Sequence, residues 1–491
     1  MSRKPIQRDE KGYPEFGMRD KLAYAAGDFG CNMSFALKGT VQTFWLAYMM
    51  LETGLLSVLL LIVQIWDAVN DPMIGSMIDA DRRHYRRGKF KQYIFVGSCG
   101  LLFAGAAVFL PFPNAPVVIK AVLFVLGYIV WDAAYTMANV PYGSMLSLVT
   151  EDAGERAQLS TWRSVGSMFG NMLPTILLPM LIWQKEWNAD GSPLMNPETG
   201  VQVQTLLGNR VFLAALLMGA LGFVAFQFML KNITIRVDED TVKAGEEGMG
   251  FNVFGAFCNF LRNRPAVGAT VTAMGMFLGM QSANVATSIM FANYFGMAEL
   301  SGIVQLIGFL PMFLFMPFIK KLVDRFGKKE VSVVGTGLSI VGGLIMMVFP
   351  LLDRGIGMVV YMAGLVLFGL GLGVYTCVSW ALMADAIDYN EWKTGRREEG
   401  TVYSLHSFFR KLAQGVGPSA VLLLMGALGY VADLGTGGQS AATAYNMCWL
   451  VAGLYLFSAV TMFIGMTFVY NLDKKTMARM NGELAARKGN R

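Results

Sequence analysis

The sequence predicts an all-α polytopic membrane protein with about twelve transmembrane helices arranged as two bundles of six. Hydrophobic residues make up 54% of the 491 residues and charged residues only 15%, whereas soluble domains carry about 25% charged residues. About twelve apolar stretches reach the roughly 20 residues that a helix needs to cross a bilayer. A polar stretch near the middle of the chain separates six of them from the other six. The lipid bilayer is therefore the expected environment.

Each predicted span ends where charged or turn-forming residues interrupt the apolar run. The approximate bounds are 22–50, 55–79, 93–112, 117–147, 157–184, 207–230, 266–294, 299–322, 331–351, 356–388, 402–430 and 443–470. We therefore expect an N-terminal bundle over 1–230, a central cytoplasmic loop over 231–265, and a C-terminal bundle with a cytoplasmic tail over 266–491. The segment 185–203 is rich in Asn, Gly and Pro and predicts an outer loop.

Basic residues are concentrated in two short connections. Six lie between Arg82 and Lys91, and five lie between Lys320 and Lys329. By the positive-inside rule these connections face the cytoplasm, which places both chain termini on that side of the cell membrane. The first twenty residues show no cleavage pattern, so we expect no removable signal peptide. Because the basic clusters adjoin spans, they do not predict a nucleic-acid partner.

The reactive side chains exclude several classes of protein. Two histidines and five scattered cysteines supply no nucleophile or metal constellation for an enzyme. The cysteines form no CxxC pair, so neither a disulfide framework nor a zinc site is indicated. No soluble signalling domain is evident, which disfavours a sensor. We expect no bound cofactor and no obligate protein partner.

The second span contains the most informative polar residues. Asp67, Asn70 and Asp71 interrupt an apolar run, and residues three and four apart share one helix face. Placing an acidic side chain inside a membrane costs free energy, so acids that are retained there suggest a functional site. Clustered oxygen atoms suit a small hard cation or a proton. The alternative is a buried polar brace between helices, although a brace seldom needs two acids.

Other spans also carry polar residues at helical spacing. Asp28 and Asn32 share a face of the first span, and Asp132, Thr136 and Asn139 share a face of the fourth. The fourth-span residues are candidates to complete the cation shell. Further candidates for the substrate or for coupling are Arg163, His406, Ser407, Arg410 and Lys411.

Two of these candidates have equally plausible structural roles. Arg410 either lines a pocket or extends toward the inner surface, and His406 either carries a proton or is a buried structural residue. Arg163 lies about two turns into the fifth span, where a guanidinium suits vicinal hydroxyls or a carboxylate.

The two halves share a motif at the inner end of their second span. An acid precedes a basic turn in each half, an arrangement that can hold neighbouring helices in one state. The candidate gating residues are Asp79, Arg82, Arg87, Asp324 and Arg325. The motif resembles the Asp-Arg-x-Gly-basic signature of the major facilitator superfamily. Its recurrence indicates parallel repeats with a binding site between them near the midplane.

The whole chain resembles the glycoside-pentoside-hexuronide:cation symporter family, a branch of that superfamily that includes melibiose and glucuronide carriers. The most specific motifs are Gly27-Asp28-Phe29-Gly30, Asp67 to Pro72, Arg87-Gly88-Lys89-Phe90-Lys91, Asn139-Val140-Pro141-Tyr142-Gly143-Ser144, and Ala384 through Gly395. The resemblance implies the major facilitator fold and a sugar cotransported with a cation.

The resemblance also implies residue roles. It implies a cation site at Asp67, Asn70, Asp71 and Thr136 with Lys411 beside it, and sugar contacts from Asn32, Asn139, Tyr142, Arg163 and Ser407. Melibiose-type members carry acids where this chain has Asn32 and Asn139, and an aromatic residue where it has Gly143. The amides leave the basic residues less compensated, so we expect a pocket that favours an anionic sugar. The resemblance gives Asp132 no role, and it is either an additional proton site or a partner of Lys411.

The sequence thus predicts a secondary active symporter that couples uptake of a sugar or glycoside to a cation by alternating access. A hexuronide or glucuronide is the favoured substrate. Na⁺ is favoured over H⁺, because Asn70 and Thr136 add neutral oxygens that a proton would not need. The alternative is an uncoupled facilitator or a drug-efflux carrier of the same fold.

Overall fold

The computed structural model describes residues 14–489 apart from 82, 84, 151, 237–252, 396–398 and 436. Over these residues the chain is predominantly helical, which confirms the predicted all-α fold class. The acidic part of the central loop lies outside the described residues. So do the predicted gating residue Arg82 and the side chain of Asp79.

The helices of the first half coincide with the first six predicted spans. They are α1 (Met18–Phe35), α2 (Leu37–Ala47), α3 (Thr53–Ala80), α4 (Lys89–Ala107), α5 (Val117–Val149), α6 (Ala153–Ile182) and α7 (Gly208–Asn232). The first predicted span is divided at Ala36 into α1 and α2. The Ala36 amide still donates to the Asn32 carbonyl at 2.9 Å, so helical hydrogen bonding continues up to the break.

The predicted outer loop is more ordered than its composition indicated. Strands β1 (Trp183–Lys185) and β2 (Gln204–Leu206) pair with each other, and further bridges form inside the segment that they enclose. The Asn188 amide donates to the Ser192 carbonyl at 2.8 Å, and Gly191 has a positive φ of 80°. The turn-forming residues therefore close a hairpin turn instead of an irregular loop.

The helices of the second half coincide with the remaining spans. They are α8 (Val253–Arg262), α9 (Arg264–Met290), α10 (Ser301–Phe326), α11 (Lys328–Met346), α12 (Arg354–Thr394), α13 (Glu399–Ala427), α14 (Ala441–Ile464) and α15 (Lys474–Gly489). α8 lies within the predicted central loop, and α15 forms the tail. Short π-helical turns, Phe291–Phe295 and Gly465–Val469, follow α9 and α14.

Eight helices in the described part of the chain are long and apolar enough to cross a membrane. They are α3, α4, α5, α6, α7, α11, α12 and α14. The other predicted spans correspond to α1 with α2, α9, α10 and α13. Polar residues lower the apolar character of the first predicted span and of α13, as with Asp28, Lys38 and Arg410. For α10 the apolar stretch identified among the described residues is the shorter Ala298–Met312.

The described residues form two compact units. The first contains residues 14–51, 65–184 and 206–236, and the second contains 52–64, 185–205 and 253–489. In the first unit α1 packs on α6 and α7, and α4 packs on α5 and α7. In the second unit α12 packs on α10 and α11, while α9 packs on α13 and α14.

Glycines allow α6 to approach α1 closely. A Cβ at Gly166 would collide with the Ala25 carbonyl oxygen, and a Cβ at Gly170 would lie 2.7 Å from the Phe29 carbonyl oxygen. Both obstacles are backbone atoms, which cannot rotate away. Small residues at such crossings let helix backbones pack together in membranes. This close contact fixes the position of α6 relative to α1.

We predict that Gly166→Ala destabilises the protein by about 1–3 kcal/mol, the usual cost of overpacking. Alanine favours the helix over glycine by about 1 kcal/mol. The collision of the added Cβ must therefore outweigh this gain in helix propensity. The control is Gly453→Ala in α14, where an added Cβ meets no atom within 4 Å. Thermal unfolding in detergent should show a lower midpoint only for the Gly166 variant. Equal midpoints would argue against the tight crossing.

Candidate functional site

The acids of the second span face polar residues of the fourth span. Asp67, Asn70 and Asp71 lie on α3, and Asp132 and Thr136 lie on α5. We call these five residues the α3–α5 polar cluster. Asn70, Asp132 and Thr136 are buried, with Asn70 fully so at 0% exposure. The structure therefore brings together the four predicted cation ligands and Asp132, the residue whose role the sequence left open.

A chain of hydrogen bonds runs through the cluster. The Asn70 Nδ2 group donates to Asp132 Oδ2 at 3.1 Å and to Thr136 Oγ1 at 3.0 Å. The Thr136 hydroxyl donates to Asp71 Oδ1 at 2.9 Å. Asp67 interacts with the carboxyl group of Asp132. This arrangement presents several oxygen atoms at one place, as a hard cation requires.

A basic residue that the sequence analysis did not select completes the cluster. Lys38 Nζ on α2 lies 3.6 Å from Asp132 Oδ1. Its ammonium also lies 5.3 to 5.8 Å from the ring centroids of Phe35, Tyr128 and Tyr135, within range of cation–π attraction. A lysine inside an apolar span was the signal that could have identified Lys38.

A second set of polar residues surrounds Arg163. The Arg163 Nε donates to Asp28 Oδ1 at 3.0 Å, and the guanidinium lies 5.3 Å from the ring centroid of Tyr142. Tyr142 in turn stacks on Tyr24 at 4.7 Å, and its hydroxyl donates to the Tyr24 carbonyl at 2.8 Å. We call Asp28, Asn32, Tyr142, Arg163 and Asn171 the arginine cluster.

Amide groups hold Asp28 in place. Asn32 Nδ2 donates to Asp28 Oδ2 at 3.0 Å, and Asn171 Nδ2 donates to Asn32 Oδ1 at 2.6 Å. Asn171 lies next to Gly170, so the close α1–α6 crossing positions this bond. Sequence reasoning missed Asn171, because its partner lies 139 residues away. Asn139, the remaining substrate candidate of the first unit, is half-buried on α5, three residues after Thr136.

The charge of Arg163 is more compensated than the sequence suggested. The amides Asn32 and Asn139 were expected to leave Arg163 less compensated, but Asp28 pairs with it directly. The hydrogen bond to Asp28 uses the Arg163 Nε. The Arg163 side chain is 39% exposed, whereas the Asp28 side chain is 7% exposed. The guanidinium is therefore anchored at one edge and accessible elsewhere.

The candidates of the eleventh predicted span belong to the second unit. His406 is buried, and its Nδ1 lies 2.9 Å from Thr270 Oγ1. This contact fits a structural histidine, one of the two roles that the sequence left open. Arg410 lies 5.8 Å from the ring centroid of Phe277, Ser407 is half-buried, and Lys411 is exposed.

The predicted gating residues make local contacts. The Arg87 guanidinium lies 4.9 Å from the ring centroid of Phe95. The Lys474 ammonium donates to the carbonyls of Asp324 and Arg325 at 2.9 and 2.7 Å. The tail helix α15 therefore binds the end of α10, where the second copy of the motif lies.

A hydrogen-bonded acid ends α3 beyond its apolar part. The Asp81 carboxylate accepts hydrogen bonds from the hydroxyls of Tyr85 and Tyr93 at 2.6 and 2.8 Å and from the Arg83 amide at 3.0 Å. These bonds lower the pKa of Asp81 to about 2. The bonds formed by Tyr85, Arg83 and Tyr93 favour the ionised carboxylate, in that order.

We predict that Asp81→Asn lowers stability at neutral pH. The folded-state pKa of about 2 lies below the unfolded value of about 3.9. The stabilisation is therefore complete above about pH 4 and is lost as the pH falls toward 2. Unfolding midpoints of the two proteins should differ at pH 7 and converge toward pH 2. A constant difference over this range would contradict the assignment. Asp433→Asn, at an exposed acid of the second unit, is the control.

The comparison with known families decides the class of protein. The sequence profile of the MFS/sugar transport protein family matches residues 23–474. The chain belongs to this family. It is therefore a multi-pass membrane transporter and not an enzyme, and its fold is that of the MFS transporters.

Relatives and solved structures agree with this assignment. The transporter is 28% identical over 477 residues to the uncharacterized symporter YjmB of Bacillus subtilis, covering 95% of each chain. It is 26% identical over 428 residues to the glucuronide carrier protein homolog of Escherichia coli, covering 85% of this chain and 86% of the relative. The structure superposes on that of a D-xylose-proton symporter with a TM-score of 0.59 and 14% identity, over 90% of this chain and 96% of the other.

The chemistry of the polar cluster limits how it can bind an ion. Among the residues that the structure describes, no group of three or more histidine, cysteine, aspartate or glutamate side chains is arranged to hold a metal ion. A transported cation at the cluster would therefore need the amide and hydroxyl oxygens of Asn70 and Thr136 as well as the acids. Such a mixed set of charged and neutral oxygen atoms suits a cation that must bind and leave.

Proposed function

We propose that this transporter is a symporter of the glycoside-pentoside-hexuronide:cation type, which imports a sugar or glycoside together with a cation by alternating access. The α3–α5 polar cluster is the observation that carries the proposal. Its acids and neutral oxygens meet inside an apolar helix pair, where polar groups are retained for function. The similarity to a protein named as a symporter supports coupling to an ion.

We propose Na⁺ as the coupling cation, bound by Asp67, Asn70, Asp71 and Thr136. A proton needs only one acid with a raised pKa, whereas this cluster adds an amide and a hydroxyl. Asn70 Oδ1 is buried without a hydrogen-bond partner, which is unfavourable unless a ligand approaches it. We assign Lys411 the coupling role that the family resemblance implies.

We propose an anionic sugar, such as a hexuronide or glucuronide, as the substrate. The accessible edge of the Arg163 guanidinium suits a carboxylate, which it can bind through two parallel hydrogen bonds. Asp28 compensates the positive charge of Arg163. Recognition of an anionic sugar therefore depends on the orientation of the guanidinium and not on the net charge of the site alone. The similarity to a glucuronide carrier homolog supports this substrate class. The proposed location is the cell membrane with both termini in the cytoplasm.

Sugar-induced ion fluxes in proteoliposomes test the proposal. A panel of glucuronides, pentosides and galactosides is added under opposing Na⁺ and H⁺ gradients. We expect uptake of a glucuronide driven by Na⁺. One Na⁺ with one monoanionic sugar carries no net charge, so this uptake should not respond to membrane potential. Uptake driven by the proton gradient would show that H⁺ and not Na⁺ is the coupling ion. Equilibration of the sugar without accumulation would support an uncoupled facilitator.

A further inference from the structure

The Lys38–Asp132 pair lies beside the cation site but differs from it in charge. Asp132 contributes a third acid to the cluster, yet Lys38 Nζ approaches its Oδ1 at 3.6 Å. The three aromatic rings around the ammonium hold it there. The Asp132 side chain is 0% exposed, so a single unpaired charge at this position would be costly. The pair is therefore close to neutral.

The other oxygen of Asp132 determines how Asn70 is turned. Asn70 Nδ2 donates to Asp132 Oδ2 at 3.1 Å, so the amide nitrogen and not the amide oxygen faces Asp132. The Thr136 hydroxyl donates to Asp71, so it accepts the second Nδ2 hydrogen. Both amide hydrogens are used. The Asn70 Oδ1 atom is left as the group without a partner in this buried site.

This orientation matters for a cation. With the opposite orientation, Asn70 would present an NH2 group to the ion and repel it. A carboxamide without a fixed partner can adopt either orientation. Asp132 removes this freedom, and Lys38 prevents Asp132 from becoming a third, stronger ligand. The two residues therefore act on the ion through Asn70.

We propose that Lys38 and Asp132 form a neutral pair that positions the Asn70 carboxamide as a ligand for the transported cation, so that Asp132 is a positioning residue. This inference rests on the proposed function, because it assumes that the cation binds at the α3–α5 polar cluster. It predicts that the hydrogen-bond acceptor at position 132 matters more than the charge at that position.

Two double variants separate acceptor from charge. Lys38→Met/Asp132→Asn removes both charges but retains an oxygen that can accept from Asn70. Lys38→Met/Asp132→Leu also removes both charges and retains no acceptor. We measure the Na⁺ concentration that gives half-maximal glucuronide uptake, together with sugar counterflow at saturating Na⁺. Residues that orient metal ligands typically change metal affinity by about 10–100-fold.

We expect the Na⁺ concentration for half-maximal uptake to stay within about threefold of the wild-type value in the Asn variant. In the Leu variant it should be at least about tenfold higher than in wild type. Counterflow at saturating Na⁺ should be similar in both. If the Leu variant does not fold, Lys38→Met/Asp132→Ala takes its place. Equal Na⁺ dependence in the two double variants would overturn the inference and leave the proposed function standing. A wild-type protein that does not respond to Na⁺ would overturn both.

Discussion

Asp71→Asn should abolish accumulation of sugar against its gradient while leaving exchange of sugar across the membrane. The Thr136 hydroxyl donates to Asp71 Oδ1 at 2.9 Å, and a carboxamide oxygen can accept the same bond. The substitution therefore removes one negative charge while the bond from Thr136 can remain. With one cation for each sugar, a tenfold Na⁺ gradient corresponds to about 1.4 kcal/mol and supports about tenfold accumulation. In the variant, the ratio of internal to external sugar concentration should fall to about one.

Accumulation and counterflow in the same proteoliposomes distinguish loss of coupling from loss of folding. Counterflow requires sugar binding and the conformational change but no net ion movement. Asp190→Asn is the matched control, because Asp190 bonds within its own turn to Ser192 at 2.6 Å in the outer hairpin. Normal accumulation by the Asp71 variant would exclude this residue from the cation site. Loss of counterflow as well would indicate a structural role.

The sequence predicted that the residues of the α3–α5 polar cluster share helix faces, because helix geometry is local. The spacing of Asp67, Asn70 and Asp71 places them on one face of α3 whatever surrounds the helix. The same argument groups Asp132 with Thr136 on α5. Spacing gives no information about which helix faces which, so the α3–α5 contact rested on the family resemblance. The prediction of twelve helical spans rested on composition, which is insensitive to packing.

The contacts that sequence reasoning missed join residues distant in the chain. Lys38 and Asp132 meet across α2 and α5, and the division of the first predicted span at Ala36 separates Lys38 from the helix that carries Asp28. Arg163 was expected to be less compensated because neighbouring positions carry amides. Its partner Asp28 is 135 residues away, and only the close crossing of α6 on α1 brings the two together.

Arg163→Ala should weaken an anionic sugar far more than its neutral analogue. Hydrogen bonds to charged groups contribute about 1.5–3 kcal/mol, which corresponds to a loss of about ten- to a hundredfold in affinity for a glucuronide. A neutral glycoside of the same shape loses only ordinary hydrogen bonds and should weaken by a few-fold. Competition of both sugars against a labelled substrate measures the two losses in one preparation.

The single substitution also leaves Asp28 buried without its partner, and its charge would repel an anion on its own. The double variant Asp28→Asn/Arg163→Ala removes this effect, since it eliminates both members of the 3.0 Å pair. If Arg163 binds the substrate carboxylate, the double variant should still bind the glucuronide about tenfold or more weakly than wild type does. If repulsion by Asp28 caused the loss, the affinity for the glucuronide should return to its wild-type value. Arg163 would then serve only to neutralise Asp28.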